Sequence, residues 1–393
     1  MKTRALVFLF FMALSPFSFC KTIDIPHLRV IWHEDPAREA IVTWSGQKAF
    51  KNQLFHLSTQ QNGTMRTRTL SAKSKKIFGT KSWIHYVKLE DLTPHSKYSF
   101  SISTPQGKGA SYFFITAPPK GKDFMLAFGG DSRSDREKRR EINQSLSHYL
   151  EKNPKVLALV HGGDFVSNGF SWKLWKEWLD DYQLTTTSNN RVLPIIATRG
   201  NHEIGSTLFN KIFFRPGNKV LGNYYITRFG DLSLITLNTN VSHAGRQKRW
   251  LKKTLEQESK SQKWLLANYH RPAFPAVKKP GRARKHWVPL FEKFKLDLVF
   301  ESDGHALKKT VPIFREKRND QKGIIYIGEG GLGVPLRVAK RKDQWYFNPP
   351  GYAKSAYHFI TLHANNTKLD VKVISPDGHK VLDEFSLHPK QRL

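Results

Sequence analysis

The chain has 393 residues, more than a single ordinary domain of roughly 150 residues needs, so two units or one large α/β unit are expected. Hydrophobic residues make up 39% and include 27 Phe, 12 Tyr and 10 Trp, which excludes a disordered chain. Lys and Arg number 64 against 32 Asp and Glu, a formal charge of +32, so the surface carries a positive field that favours anionic partners; a surface adapted to an acidic medium is the alternative reading.

Residues 1–20 read as a secretory signal peptide. Lys2 and Arg4 form the positive start, ALVFLFFMALSPFSF is too short for a membrane span, and Ser18 and Cys20 are the small residues of a cleavage site. Cys20 is the only cysteine, so cleavage after it leaves no thiol, no disulfide and no sulfur ligand for a metal. A lipoprotein signal is the competing use of Cys20, but Phe19 is bulky for that motif. No later segment is apolar enough to span a membrane, and the expected location is secreted or periplasmic.

From 23 to 118 the chain reads as short strands: LRVIW, EAIVTWSG, NQLFHLS, TMRTRTLS, SWIHYVKLEDL, KYSFSIS and ASYFFITAP. Alternating apolar and polar residues, with turn residues about every ten positions, predict an all-β antiparallel sandwich. Pro118 to Lys122 is a polar linker, and residues 123–393 then alternate apolar strands with amphipathic helices. FMLAFGG precedes a helix with Ile142, Leu146 and Leu150 on one face, and VLALVHGG precedes WKLWKEWLDDY. LPIIATRG, KWLLANYH and LDLVFES follow, which predicts an α/β layered domain with a sheet buried on both faces. Hairpins are expected about Gly230-Asp231 and about Pro376-Asp377-Gly378.

Each of the five apolar strands runs into residues able to ligate a metal: Asp131; Asp164; Asn201 with His202; His270; and Asp303 with His305. Groups at the carboxyl ends of strands gather in one crevice, so these five ends are expected to converge. Carboxylates and imidazoles without thiolates suit Mn, Fe, Zn or Ni, and a carboxylate bridging two cations can pin a phosphate and generate hydroxide from water. The implied chemistry is phosphoryl ester hydrolysis. Nearby glycines, including Gly162 and Gly200, allow sharp turns close to the ions.

FGGDSR, HGGDFVSNG, TRGNHE, NYHRP and SDGH, in that order, resemble the five motif blocks of calcineurin-like metallophosphoesterases. LRVIWHEDP, AIVTW and VKLEDLTPHSKYSFSI resemble the fibronectin-like N-terminal domain of purple acid phosphatases. The resemblance covers roughly residues 25 to 360, and RGNHE is its most specific block. It implies a fibronectin III-like sandwich followed by a metallophosphoesterase domain holding two divalent or mixed-valence ions of Mn, Fe or Zn. It assigns Asp131 and His305 to the first ion, Asp164 to the bridge, Asn201 and His270 to the second ion, and His202 to proton donation.

Three departures from the family pattern stand out. The usual closing Gly-His-x-His admits two registers here, one starting at Gly304-His305 and one in which Ser302 to His305 is the whole block. The second, adopted here, replaces a second-site histidine with Asp303 and expects Asp303 and His305 on one side of an extended segment. The tyrosine that ligates ferric iron in purple acid phosphatases falls at Ser167, and the histidine of the alternative Asp-x-His block falls at Arg133. The first ion is left with Asp131, Asp164 and His305. Arg133 is read as a phosphate clamp, with pairing to a carboxylate as the alternative.

The basic excess is spread along the chain, but Lys278, Lys279, Arg282, Arg284 and Lys285 lie between His270 and Asp303, on the expected rim of the site. They either steer anionic substrates or form a solvated loop. The leading reading is an exported phosphomonoesterase using a metal-bound hydroxide, with His202 as general acid, acting on a phosphorylated small molecule. A phosphodiesterase or nuclease acting on a polyanion is the first alternative. The second is a non-catalytic fold that contacts nucleic acid or a cell surface by charge.

Overall fold

The structure is a computed structural model that describes residues 22–49, 52–214 and 222–392. The expected signal peptide, 1–20, lies outside the described residues. Among them no helix is long and apolar enough to cross a membrane.

The N-terminal region consists of two sheets facing one another. One contains Leu54–Gln61 between Thr64–Ser71 and Lys97–Thr104. The other contains Ala40–Gly46 between Arg29–Ile31 and Trp83–Leu89. Alternation along Leu54–Gln61 buries Phe55, Leu57 and Thr59 and leaves their neighbours more exposed, as a half-buried strand requires. Trp44, Phe55 and Phe100 fill the space between the sheets, with Phe55 and Phe100 centroids 5.1 Å apart.

The second region has two central sheets, where the sequence suggested one buried on both faces. Phe124–Gly129, Val156–His161 and Ile195–Ala197 run parallel in the first. Leu232–Thr236, Trp264–Tyr269 and Leu298–Glu301 run parallel in the second. The sheets pack face to face, with the rings of Phe128 and Phe300 stacked at 3.6 Å. Helices Arg136–Lys152 and Trp172–Tyr182 cover the outside of the first sheet, and Arg246–Ser261 covers the second. Each sheet therefore meets a sheet on one side and helices on the other, which also leads to nearly continuous apolar strands. The expected hairpins form as Tyr225–Phe229 with Leu232–Thr236 and Leu369–Ile374 with Val381–Leu387.

The linker at 118–122 is not the sole connection between the two regions. Ile31 pairs in parallel with Ile195, and Trp32 N donates to Ile195 O at 3.1 Å, so one sheet of the sandwich continues into the first central sheet. The ten strands of that sheet run from Val381–Leu387 at one edge to Lys73–Lys76 at the other. The carboxyl ends of the five motif-bearing strands open on one crevice.

A buried ion cluster anchors the first of those loops. Asp181, fully buried, accepts from Arg139 at 2.6 Å and also meets Arg136 and Arg140 at 3.1 and 3.0 Å. Arg139 also donates to Ser132 O at 2.7 Å, holding the residue after Asp131. Removing the carboxylate would strand a buried guanidinium. Asp181→Ala is expected to lower unfolding free energy by about 3–5 kcal/mol, whereas Arg140→Ala at the exposed end should change it by less than about 1 kcal/mol. Urea denaturation of both variants measures the difference.

Candidate metal centre

Tight turns after the strands aim the side chains inward. Asp131, Asp164, Asp303 and His305 all take left-handed backbone, with φ of 56, 56, 71 and 60°. Such conformations cost of order 1–3 kcal/mol each and gather where function requires them. The extended segment expected for Ser302 to His305 does not form. Each of these two residues instead turns its side chain inward through its own left-handed kink.

Space at the base of the crevice is set by glycine. A Cβ at Gly200 would lie 2.1 Å from Asp164 N, and one at Gly162 would lie 2.0 Å from Ser302 Oγ, so neither position admits a side chain without displacing a neighbouring loop.

Asp131, Asp164 and His270 bring donor atoms within 4.8 Å of one another, all buried. His270 Nδ1–H donates to Gly162 O at 2.9 Å, which leaves Nε2 facing Asp164 Oδ1 at 3.2 Å and Asp303 Oδ1 at 3.4 Å. Asn201 places one amide atom 3.2 Å from His270 Nε2 and 3.0 Å from Asp303 Oδ1. On the other side, His305 Nε2 lies 3.5 Å from Asp131 Oδ1, and its Nδ1–H points to Pro335 O at 3.3 Å. Asp303 N donates to Asp131 Oδ2 at 2.7 Å, tying the first loop to the fifth. All six proposed ligands thus come together, with Asp164 between the His270 and Arg133 sides.

The protonation balance follows from crowding three carboxylates. Burial, reinforced by the Asp164 and Asp303 charges, pushes the Asp131 carboxyl well above the usual range, although His270 opposes it. Burial also works against charge on Asp164 and Asp303, but His270, with His202 at Asp164 and Lys278 at Asp303, holds both low, Asp303 at about 2. Burial and the charges of Arg337, Arg133 and Lys278 depress His305 to about 3, so its Nε2 is an unprotonated donor. Asp131 Oδ1, buried and without a hydrogen-bond partner, completes a set of oxygen and nitrogen donors that fits hard or borderline cations.

Arg133 and His202 stand at the mouth. Arg133 Nε lies 3.5 Å from Asp164 Oδ2 and Nη2 3.5 Å from His305 Nε2, so the guanidinium meets both the central carboxylate and the first-ion histidine. His202 donates from Nδ1 to Ser167 O at 2.7 Å and presents Nε2 3.7 Å from Asp164 Oδ2, with 30% of its side chain exposed.

Several supporting residues were not singled out from the sequence. Glu203 accepts from the backbone N–H groups of Asp164, Phe165, Val166 and Gly200 at 2.8–3.3 Å, clamping the second loop to the third. Its position inside RGNHE was the available signal. Glu329 O accepts from His305 N at 2.7 Å, and Arg337 donates to Asp303 O at 3.3 Å. Only the glycine-rich GEGG run hinted at Glu329, and nothing in the sequence marked Arg337. His161 is a packed histidine: its Nε2 meets Ser132 Oγ at 2.9 Å, and burial drops it to about 3.

Known proteins resemble the chain in the segment that carries this geometry. The Calcineurin-like phosphoesterase profile matches residues 132–307. The match covers just under half of the chain, and those residues are similar to calcineurin-like phosphoesterase domains. The chain around them is purple acid phosphatase-like. It is 26% identical over 67% of its length to Fe(3+)-Zn(2+) purple acid phosphatase 12 of Arabidopsis thaliana, and covers 63% of that protein. Probable inactive purple acid phosphatase 27 of the same plant matches 90% of the chain at 22% identity, with 68% of that protein covered. In fold, the purple acid phosphatase PPD1 of yellow lupin superposes with a TM-score of 0.78 at 16% identity, over 93% of this chain and 74% of that one. PhoD superposes with a TM-score of 0.66 at 11% identity, over 94% and 92%. The chain therefore spans less than two thirds of the length of purple acid phosphatase 12.

If Asp164 is the shared ligand, Asp164→Asn should abolish uptake of divalent ions. Glu203→Ala should keep the ligands but loosen their loops, weakening uptake by about 10–100-fold. Calorimetric titration of folded protein with Mn or Zn separates the two outcomes.

Proposed function

We propose that the protein is an exported, metal-dependent phosphomonoesterase. The observation that carries the reading is the buried Asp131, Asp164 and His270 cluster, flanked by Asp303, Asn201 and His305, at the mouth of which stand one acid-base side chain and one guanidinium. The N-terminal leader motivates export, and the sandwich that follows is read as fibronectin III-like. In this reading Asp131, Asp164 and His305 hold one ion, and Asp164, Asn201, His270 and Asp303 hold the other. When bound, the ions would supply Lewis-acid activation of the phosphate and a nucleophile drawn from water.

The remaining work falls to the chain itself. Arg133, directed by Asp164 and His305, offers two N–H groups to phosphate oxygens. His202 is oriented by its Nδ1–H bond to Ser167 O, so in the protonated ring Nε2–H is the proton available to a leaving alkoxide. Glu203 keeps the Asp164 and Asn201 loops in register, and Gly162 O sets the His270 ring so that Nε2 faces inward. The inactive-named relative suggests a binding protein without turnover, yet both imidazoles and all three carboxylates of the centre are present here.

His202→Ala should retain bound metal while turnover of an alkyl phosphate falls by ~10²–10⁴, and that of p-nitrophenyl phosphate, whose leaving group needs no proton, falls much less. Equal losses on the two esters would remove His202 from proton transfer. Activity on p-nitrophenyl phosphate well above that on bis-p-nitrophenyl phosphate is expected, and the reverse ratio would favour a phosphodiesterase. Because Ser167 supplies no phenolate, the iron-loaded protein should lack an intense visible charge-transfer band; visible absorption with parallel iron analysis checks this.

A further inference from the structure

Beside the centre, a cleft of about 800 Å³ opens between the loop at 239–243 and the loop at 278–282. Asn201 and Asp303 of the candidate metal centre are among its lining residues, so the cleft borders that centre. Arg271, Lys278, Lys279 and Arg282 line it, and Asp303 is the sole carboxylate among its described lining residues. Lys278 is paired to Asp303 at 2.5 Å. Arg271, Lys279 and Arg282 have no ion-pair partner among the described residues, and all three are exposed. Three unpaired cations facing one concavity repel one another, an arrangement relieved by an anion between them.

The walls of the cleft are held by packing and hydrogen bonds. His243 lines the cleft with only 7% of its surface exposed, and its Nε2 is buried without a hydrogen-bond partner. The ring is held by stacking on Trp287, 4.4 Å between centroids, and Trp287 Nε1 donates to His243 O at 2.9 Å. Both loops are also anchored to the centre. Asn240 donates to Arg199 O and Gly200 O at 3.1 and 2.9 Å, and Gly281 N donates to Pro272 O at 2.7 Å. The cleft is thus positioned by the same backbone that positions Asn201 and His270.

We propose that this cleft is a subsite for a second phosphate, so that the preferred substrate is an ester carrying one phosphate at the metal centre and another dianionic phosphate group in the cleft. The proposal rests on the phosphoesterase reading of the neighbouring centre. Lys278, bound to Asp303 at the boundary, separates the two positions, while Arg271, Lys279 and Arg282 line the second. A monoester with a neutral remainder fills only the first position.

The test compares an α,ω-alkanediol bisphosphate with the matching alkyl monophosphate on the metal-loaded full chain. The wild type should show a KM about tenfold lower for the bisphosphate, an advantage that shrinks as salt is raised. The double variant Lys279→Ala/Arg282→Ala should lose that advantage and leave kcat and KM for the monophosphate within about twofold. Equal KM values in the wild type, or an advantage that survives in the double variant, would overturn the subsite. If the wild type hydrolyses neither ester, the phosphoesterase reading fails by itself. Calorimetric binding of the matching alkane bisphosphonate then decides the cleft: binding weakened about tenfold in the double variant supports it, and equal binding refutes it.

Discussion

Three carboxylates, Asp131, Asp164 and Asp303, meet in one buried crevice, and much of the surrounding structure answers the cost of putting them there. Isolated buried charge is expensive unless it is paired or coordinates a metal. His270 faces two of the three, Lys278 caps Asp303, Arg133 leans on Asp164, and the backbone N–H groups of His202 and Asp303 reach Asp164 and Asp131. What remains unsatisfied is small and specific, including Asp131 Oδ1. Cations complete such a site better than further hydrogen bonds can, because the donors are hard oxygens with one imidazole on each side.

Holding that arrangement requires two sheets. The Asp131, Asp164 and Asn201 loops come from one sheet and the His270 and Asp303 loops from the other, so the centre straddles the interface where Phe128 stacks on Phe300. Glu203 and Asp181 then fix individual loops through networks that never touch the crevice contents. The N-terminal sandwich is coupled to this frame through Ile31 and Ile195, and Trp172 Nε1 donates to Ser82 Oγ at 2.8 Å across the same boundary. The sandwich thereby pairs with the strand Ile195–Ala197, from which the Asn201 and His202 turn emerges.

The basic composition acquires a local meaning at the same place. Most of the excess Lys and Arg is spread over the surface, where single charges interact weakly through water. Arg271, Lys279 and Arg282 differ because they share one concavity next to the centre and have no ion-pair partner among the described residues. Concentration of like charge in a cleft focuses the field and favours ligands that bring several negative charges on a short scaffold.

Local patterning in the sequence was enough to predict most of the apolar strands, the helices after FMLAFGG and VLALVHGG, the two hairpins and the Asp, Asn or His that follows each of five strands. Each of these depends on residues close in the chain: alternation along Leu54–Gln61, an apolar helical face at Ile142, Leu146 and Leu150, or an Asp directly after an apolar strand. Division of the second region into two sheets, continuation of one of them into the sandwich, the left-handed kinks at Asp303 and His305, and the clamping by Glu203, Glu329 and Arg337 were decided only by tertiary structure. A buried strand has the same apolar sequence whether a helix or another sheet covers it, and a non-glycine residue carries no local mark that it will adopt positive φ. Those outcomes depend on contacts between segments as far apart as Ile31 and Ile195 or Asp131 and Asp303, where long-range packing supplies the energy that local preference does not.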